Sequence, residues 1–111
     1  MAQEKELLTE SHQRINSIIP YGKDNSISRE KLIELTGFAD RKIRNIIEDL
    51  RKNGEVICSS SNQKGYWHPT KRKEVVEFMT ETYKRARNLF VMARSAKQYL
   101  NSHEDQLEGD I

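Results

Sequence analysis

The sequence predicts a mainly α-helical chain with one small β-hairpin and a long C-terminal helix. Three observations predict it. Apolar residues recur every three to four positions in four separate segments, the spacing of a helix face. Pro20, Gly37 and Asn53-Gly54 stand where those patterns stop. Between Gly54 and Pro69 the helical spacing lapses, and β-branched and aromatic residues flank the polar run "SSSNQKG".

The first helix is expected over 4–19, "EKELLTESHQRINSII", with Leu7, Leu8, Ile15, Ile18 and Ile19 on one face. Pro20 ends it, because a residue before proline avoids helical backbone angles. "YGKDNS" follows as a loop of turn formers. In "SISREKLIELTG", Ser28 is the N-cap, since its hydroxyl can accept a bond from a free first-turn amide. Leu32, Ile33 and Leu35 are expected to point inward, and Gly37 stops the helix in the left-handed conformation.

"FADRKIRNIIEDLRKNG" restarts a helix at once. Ile43, Ile46, Ile47 and Leu50 form an i, i+3, i+4, i+7 stripe, and Asn53-Gly54 closes it. The hairpin comes next. One of Val56 and Ile57 should pack on the helices, and one of Tyr66 and Trp67 should cover them. Gly65 is expected to let the chain turn at the strand start. The last helix spans about 71–101 without Pro or Gly and would reach ~46 Å.

Composition narrows the function. Leu, Ile, Val and Phe total 25 of 111 residues, enough for one compact domain with a small core. The net charge is only +2, but it is unevenly spread. Residues 1–54 carry 10 basic and 9 acidic side chains, residues 55–101 carry 9 and 4, and the last ten carry 4 acidic and no basic ones. The body without its acidic tail favours a polyanion. One cysteine suits a reducing cytoplasm. No apolar run is long enough for a membrane helix, and "MAQEKELLTE" is no secretory signal. The expectation is a cytoplasmic protein without a membrane partner.

Catalytic and metal chemistry find no constellation. His12, His68 and His103 lie in three separate segments, without ligand spacing around Cys58. Cys58 reads as a small apolar filler, and the serines have no base partner nearby. There is no Gly-rich phosphate loop. The chain is read as no enzyme, with no cofactor and no metal.

The element order is that of a winged helix-turn-helix, in which the second helix of the pair enters the DNA major groove. Phe38 is placed to plug the turn between the two helices. The stripe of the third helix, about 39–53, leaves Arg41, Lys42, Arg44 and Asn45 outward, with Glu48 and Asp49 beyond them. Arg can take guanine and Asn adenine in bidentate contacts, and both are wanted near the helix N-terminus. Asp40 joins this set at the helix start, and Ser28 and Arg29 join it at the start of the preceding helix. Solvent-facing ion pairs, such as Arg44 with Glu48, are the alternative use of these charges. The hairpin, about 55–68, is the wing; Asn62, Gln63 and Lys64 at its tip would reach a phosphate backbone or minor groove.

The stretch "ISREKLIELTGFADRKIRNIIEDLRKNGEVICSSSNQKGYWHP", with the basic and apolar helix after it, resembles small winged-helix proteins encoded by phages and prophages of Gram-positive bacteria. These are commonly described as helix-turn-helix or DNA-replication-associated proteins. "ELTG", "IRNIIEDLRKNG", "ICSSS" and "GYW" before the proline carry the resemblance, which covers roughly residues 20–100. "LRKNG", a strand and "KGYW" are also similar to the DNA-binding domain of the biotin repressor. The resemblance implies double-stranded DNA binding in a bacterial host cell, in transcription regulation or replication initiation. Where such proteins often have an apolar residue before the proline, this chain has His68, which bears on the packing of the second wing strand.

The domain reading is a winged helix-turn-helix over 1–69, a dimerisation helix over 70–101 and an acidic flexible tail over 102–111. Val76, Met79, Tyr83, Ala86, Phe90, Ala93 and Leu100 make one stripe of the long helix, interrupted by Lys97, with Leu89 and Ala96 beside it. Such a stripe asks for another helix. A homodimer would set two recognition helices on a palindromic site with half-sites ~34 Å apart. The alternative is an adaptor whose long helix docks a replication or regulatory protein.

Overall fold

The computed structural model describes residues 8–60 and 63–109. The chain divides into two compact units, Met1–Phe78 and Met79–Ile111. Among the described residues it is mainly helical, with four α-helices and a small three-stranded antiparallel sheet. The order is α1 (Glu10–Ile18), β1 (Ile27–Ser28), α2 (Arg29–Thr36), α3 (Asp40–Lys52), β2 (Cys58–Ser60), β3 (Gln63–Trp67) and α4 (Arg72–Ser102). Short 3-10 turns occupy Lys23–Asn25 and Glu104–Gln106.

Each helix end has a local cause. Thr9 caps α1 in a box with His12: the Thr9 side chain accepts from the His12 amide, and the His12 ring accepts from the Thr9 amide. Ile19 turns extended before Pro20 and ends α1. The helix expected from residue 4 begins only at Glu10, because Thr9 takes an extended backbone and caps it; Leu8 lies before the helix, and residues 4–7 lie outside the described residues. Ser28 caps α2 by accepting from the Lys31 amide at 3.0 Å. Gly37 closes α2 at φ 72, and its amide donates to the Ile33 carbonyl at 2.7 Å. Ala39 precedes α3 and supplies no capping side chain.

Ile15, Ile19, Leu32, Ile43, Ile46, Ile47, Leu50 and Ile57 form the core, joining α1, α2, α3 and the approach to β2. Fully burying one such side chain is worth about 1.5–3 kcal/mol. Phe38 packs against this cluster from the α2–α3 turn, as expected. Leu35 does not: it is 47% exposed, because α2 is only eight residues long and turns only Leu32 and Ile33 inward. The ring of His12 bridges α1 to α3, its Nε2 lying 2.9 Å from Asp49 Oδ2.

The sheet order is β1-β3-β2. β1 has no counterpart in the sequence reading, since two residues carry no periodicity. It pairs Ile27 with Tyr66 and Ser28 with Gly65. Gly65 therefore lies inside the sheet and not at a turn. A Cβ there would sit 2.8 Å from Ser26 Oγ and 2.9 Å from Ser26 Cβ, so its missing side chain is what admits β1.

Both residues of each undecided pair have a place. Ile57 is fully buried and Val56 is 37% exposed. Tyr66 packs on the helical core, and Trp67, one residue on, faces the other way beside Cys58, its partner in β2. Trp67 and Cys58 are buried; the Cys58 thiol donates to the Glu74 carbonyl in the first turn of α4. His68 is buried as well, with Nε2 3.0 Å from the Asn16 carbonyl and its ring stacked on Tyr21. Its backbone holds the end of β3 to Pro20 and Gly22. Hydrogen bonding thus lets an imidazole be buried before Pro69.

In the second unit α4 continues to Ser102, and the chain then folds over its end. His103 stacks on Tyr99 with centroids 3.9 Å apart. No side chain of α4 is buried.

Candidate nucleic-acid interface

The stripe that buries Ile43, Ile46, Ile47 and Leu50 fixes what α3 shows to solvent. Arg41, Lys42, Arg44 and Asn45 are all exposed, and all lie in the first half of the helix. Asp40 organises this end. One of its oxygens pairs with Arg29 Nε from the start of α2. The other pairs with Arg44 Nε at 3.2 Å, one turn along α3. Arg29 also donates through Nη1 to the Tyr66 hydroxyl at 3.5 Å. Three elements, α2, α3 and β3, meet at this cluster. The hydrogen bonds to Tyr66 and Asp40 raise the Arg29 pKa further above its ordinary value, so the side chain stays charged.

Arg44 does not use Glu48, which pairs with Lys52 at 3.0 Å instead. With Nε committed to Asp40, the terminal nitrogens of Arg44 keep four N–H donors in a planar fork. Lys42 turns back over the Phe38 ring, Nζ 4.0 Å from its centroid. Arg41 and Asn45 have no partner among the described residues. The Ser28 hydroxyl is occupied as the α2 cap.

Gln63 and Lys64 open β3, and Asn62 lies outside the described residues. What fixes the base of the hairpin is Arg51, a residue the sequence reading did not single out. From the last turn of α3 its Nε donates to the Ile57 carbonyl at 2.9 Å, and Nη2 donates to Ser59 Oγ at 3.1 Å. Its guanidinium also lies 4.8 Å from the centroid of the Phe78 ring. A basic residue near a helix C-terminus reads from sequence as a partner for the helix dipole, so nothing local marks this role.

Burial and the nearby Glu74 charge push the Cys58 thiol up to about 11, which keeps it protonated at neutral pH. The Glu74 carboxylate is held below its ordinary range first by the Thr70 amide, at 3.0 Å. The Trp67 indole N–H is buried and has no hydrogen-bond partner among the described residues. An open hollow of about 390 Å³ lies between the 21–25 segment and the first turns of α4, and its lysines and carboxylates are mixed. Among the described residues no group of three or more His, Cys, Asp or Glu could hold a metal ion. No helix among them is long and apolar enough to cross a membrane.

The chain matches no protein family, no curated protein and no solved structure.

Proposed function

We propose that this chain binds double-stranded DNA as a winged helix-turn-helix, with α3 in the major groove and the β2–β3 hairpin as the wing. The observation that carries the reading is the face of α3. Its four exposed nitrogen-bearing side chains, Arg41, Lys42, Arg44 and Asn45, occupy the N-terminal half, where a recognition helix meets base edges. The tight α2–α3 turn at Gly37 and the β1-β3-β2 order agree with it. In this reading Arg44 and Asn45 are the base readers, and Arg41 and Lys42 take base or phosphate. Asp40 positions Arg29 and Arg44 without touching DNA, and Arg51 sets the wing. The acidic residues Glu48 and Asp49 follow on the helix, which suits an approach by its N-terminal end. The process served is transcription regulation or replication initiation of phage type.

The test is fluorescence anisotropy with a mixed-sequence duplex, then selection of bound duplexes from a random pool. Affinity should fall steeply with salt as counterions are released. No binding at low salt and high micromolar protein would sink the reading. So would a double Arg41→Ala, Arg44→Ala change that leaves affinity unaltered.

A further inference from the structure

The exposed face of α4 is self-complementary, and we propose that a second copy of this chain docks on it as an antiparallel helix pair. Counted in heptads, Val76, Tyr83, Phe90 and Lys97 fall at the a positions. Met79, Ala86, Ala93 and Leu100 fall at d. The five large apolar residues of this seam are 40% to 70% exposed. Two such faces meeting would bury on the order of 1,000 Å², the size at which specific association begins.

The order of large and small residues selects both the occupant and its direction. In an antiparallel pair each a residue faces a d residue of the partner. With the two-fold axis beside Asn88, Phe90 lies opposite Ala86 and Tyr83 opposite Ala93. Val76 meets Leu100, and Met79 lies against the apolar stem of Lys97. Each ring thus has a small residue across from it, the alternation that lets side chains interdigitate. A two-fold interface must match itself in this way, and a surface made for an unrelated partner need not. A parallel pair would stack ring on ring, leave two Ala–Ala layers unfilled and set Lys97 against Lys97.

Leu89 meets its own copy along one edge of the seam. Arg87 lies opposite its own copy across the other edge, and Arg94 lies further along it.

The test needs no nucleic acid, so its failure is separate from failure of the DNA-binding reading. Sedimentation equilibrium of the full chain should give about 26 kDa, twice the 13.0 kDa of one copy. A monomer at high micromolar concentration overturns the proposal and leaves the face to another protein. Phe90→Ala should weaken the dimer by about a hundred-fold or more, since both copies lose a central ring. Ala86→Leu should also weaken it by crowding Phe90, and Ala86→Leu with Phe90→Ala should recover part of the loss. Tightening by Ala86→Leu alone would mean parallel Ala–Ala layers and overturn the arrangement. Nitroxide labels on Gln98→Cys, ten residues from the axis, should lie ~30 Å apart. A separation near ~20 Å, the lateral distance between outward-facing labels at the same level of two packed helices, would again mean a parallel pair. Helical circular dichroism unchanged in the variants excludes misfolding as the cause.

Discussion

Arg44 reaches back one turn of α3 and donates its Nε to Asp40 at 3.2 Å, while the other Asp40 oxygen holds Arg29 from α2. The carboxylate is thus a fixture for two arginines, and the end of the Arg44 fork is what it leaves free. Because the groups are 42% to 57% exposed, the pairs contribute little to stability, about 0–1 kcal/mol. Asp40→Asn should therefore shift the urea midpoint slightly. In DNA titrations it should raise affinity for random duplex, by removing a negative charge, and reduce discrimination for the selected site. Arg44→Ala should cost about 1–3 kcal/mol on that site if it reads a base. Equal losses on selected and random duplex would make Arg44 a phosphate contact.

Arg51 makes two directed bonds to the β2 segment, at Ile57 and Ser59. A lysine is one donor centre on a flexible stem and cannot span both acceptors as a planar fork does. Arg51→Lys keeps the charge, so a purely electrostatic role predicts no change. The expected outcome is a loss of about 1 kcal/mol of stability and weaker protection of the β2–β3 amides in hydrogen exchange. DNA affinity should fall with it. Unchanged protection would show that the wing is held by packing alone.

Gly65 and Ser26 approach too closely for any side chain at 65. Gly65→Ala should destabilise by about 1–3 kcal/mol, the cost of overpacking a filled site. Adding Ser26→Gly removes the two closest atoms and should restore part of it. Full stability of Gly65→Ala in urea unfolding would mean that β1 does not lie against β3 as described.

Burial pushes the Cys58 thiol up to about 11, so the ionised form is scarce at pH 8. Alkylation by iodoacetamide should be slow under native conditions and fast in urea, with protein mass as the readout. The sign follows from burial: the folded state favours the neutral thiol, so stability should fall as pH rises above the unfolded thiol's value, about 8.5. Rapid native alkylation would place Cys58 at the surface and argue against its packing under α4.

Much of the molecule is written in short-range order. Pro20, Ser28, Gly37 and Asn53-Gly54 bound their helices because capping and backbone restriction act over one to four residues. The α3 stripe is a period, and burying it leaves Arg41, Lys42, Arg44 and Asn45 outside without further information. The length of α4 is equally local.

Other features depend on neighbours far along the chain, and no period records those. β1 exists because β3, nearly forty residues later, lacks a side chain at Gly65. His68 is a core residue only because the Asn16 carbonyl is there to receive its Nε2–H. Leu35 kept a helical apolar spacing and still faces water, since a face becomes interior only where another element covers it. Tyr66 and Trp67 were equal in the sequence; the sheet sent one to the helical core and the other to Cys58. The sequence by itself determined the four helices, most of their ends and the polarity of α3. The tertiary structure decided which residues hold one another, because hydrogen bonds and contacts are short in space and indifferent to separation along the chain.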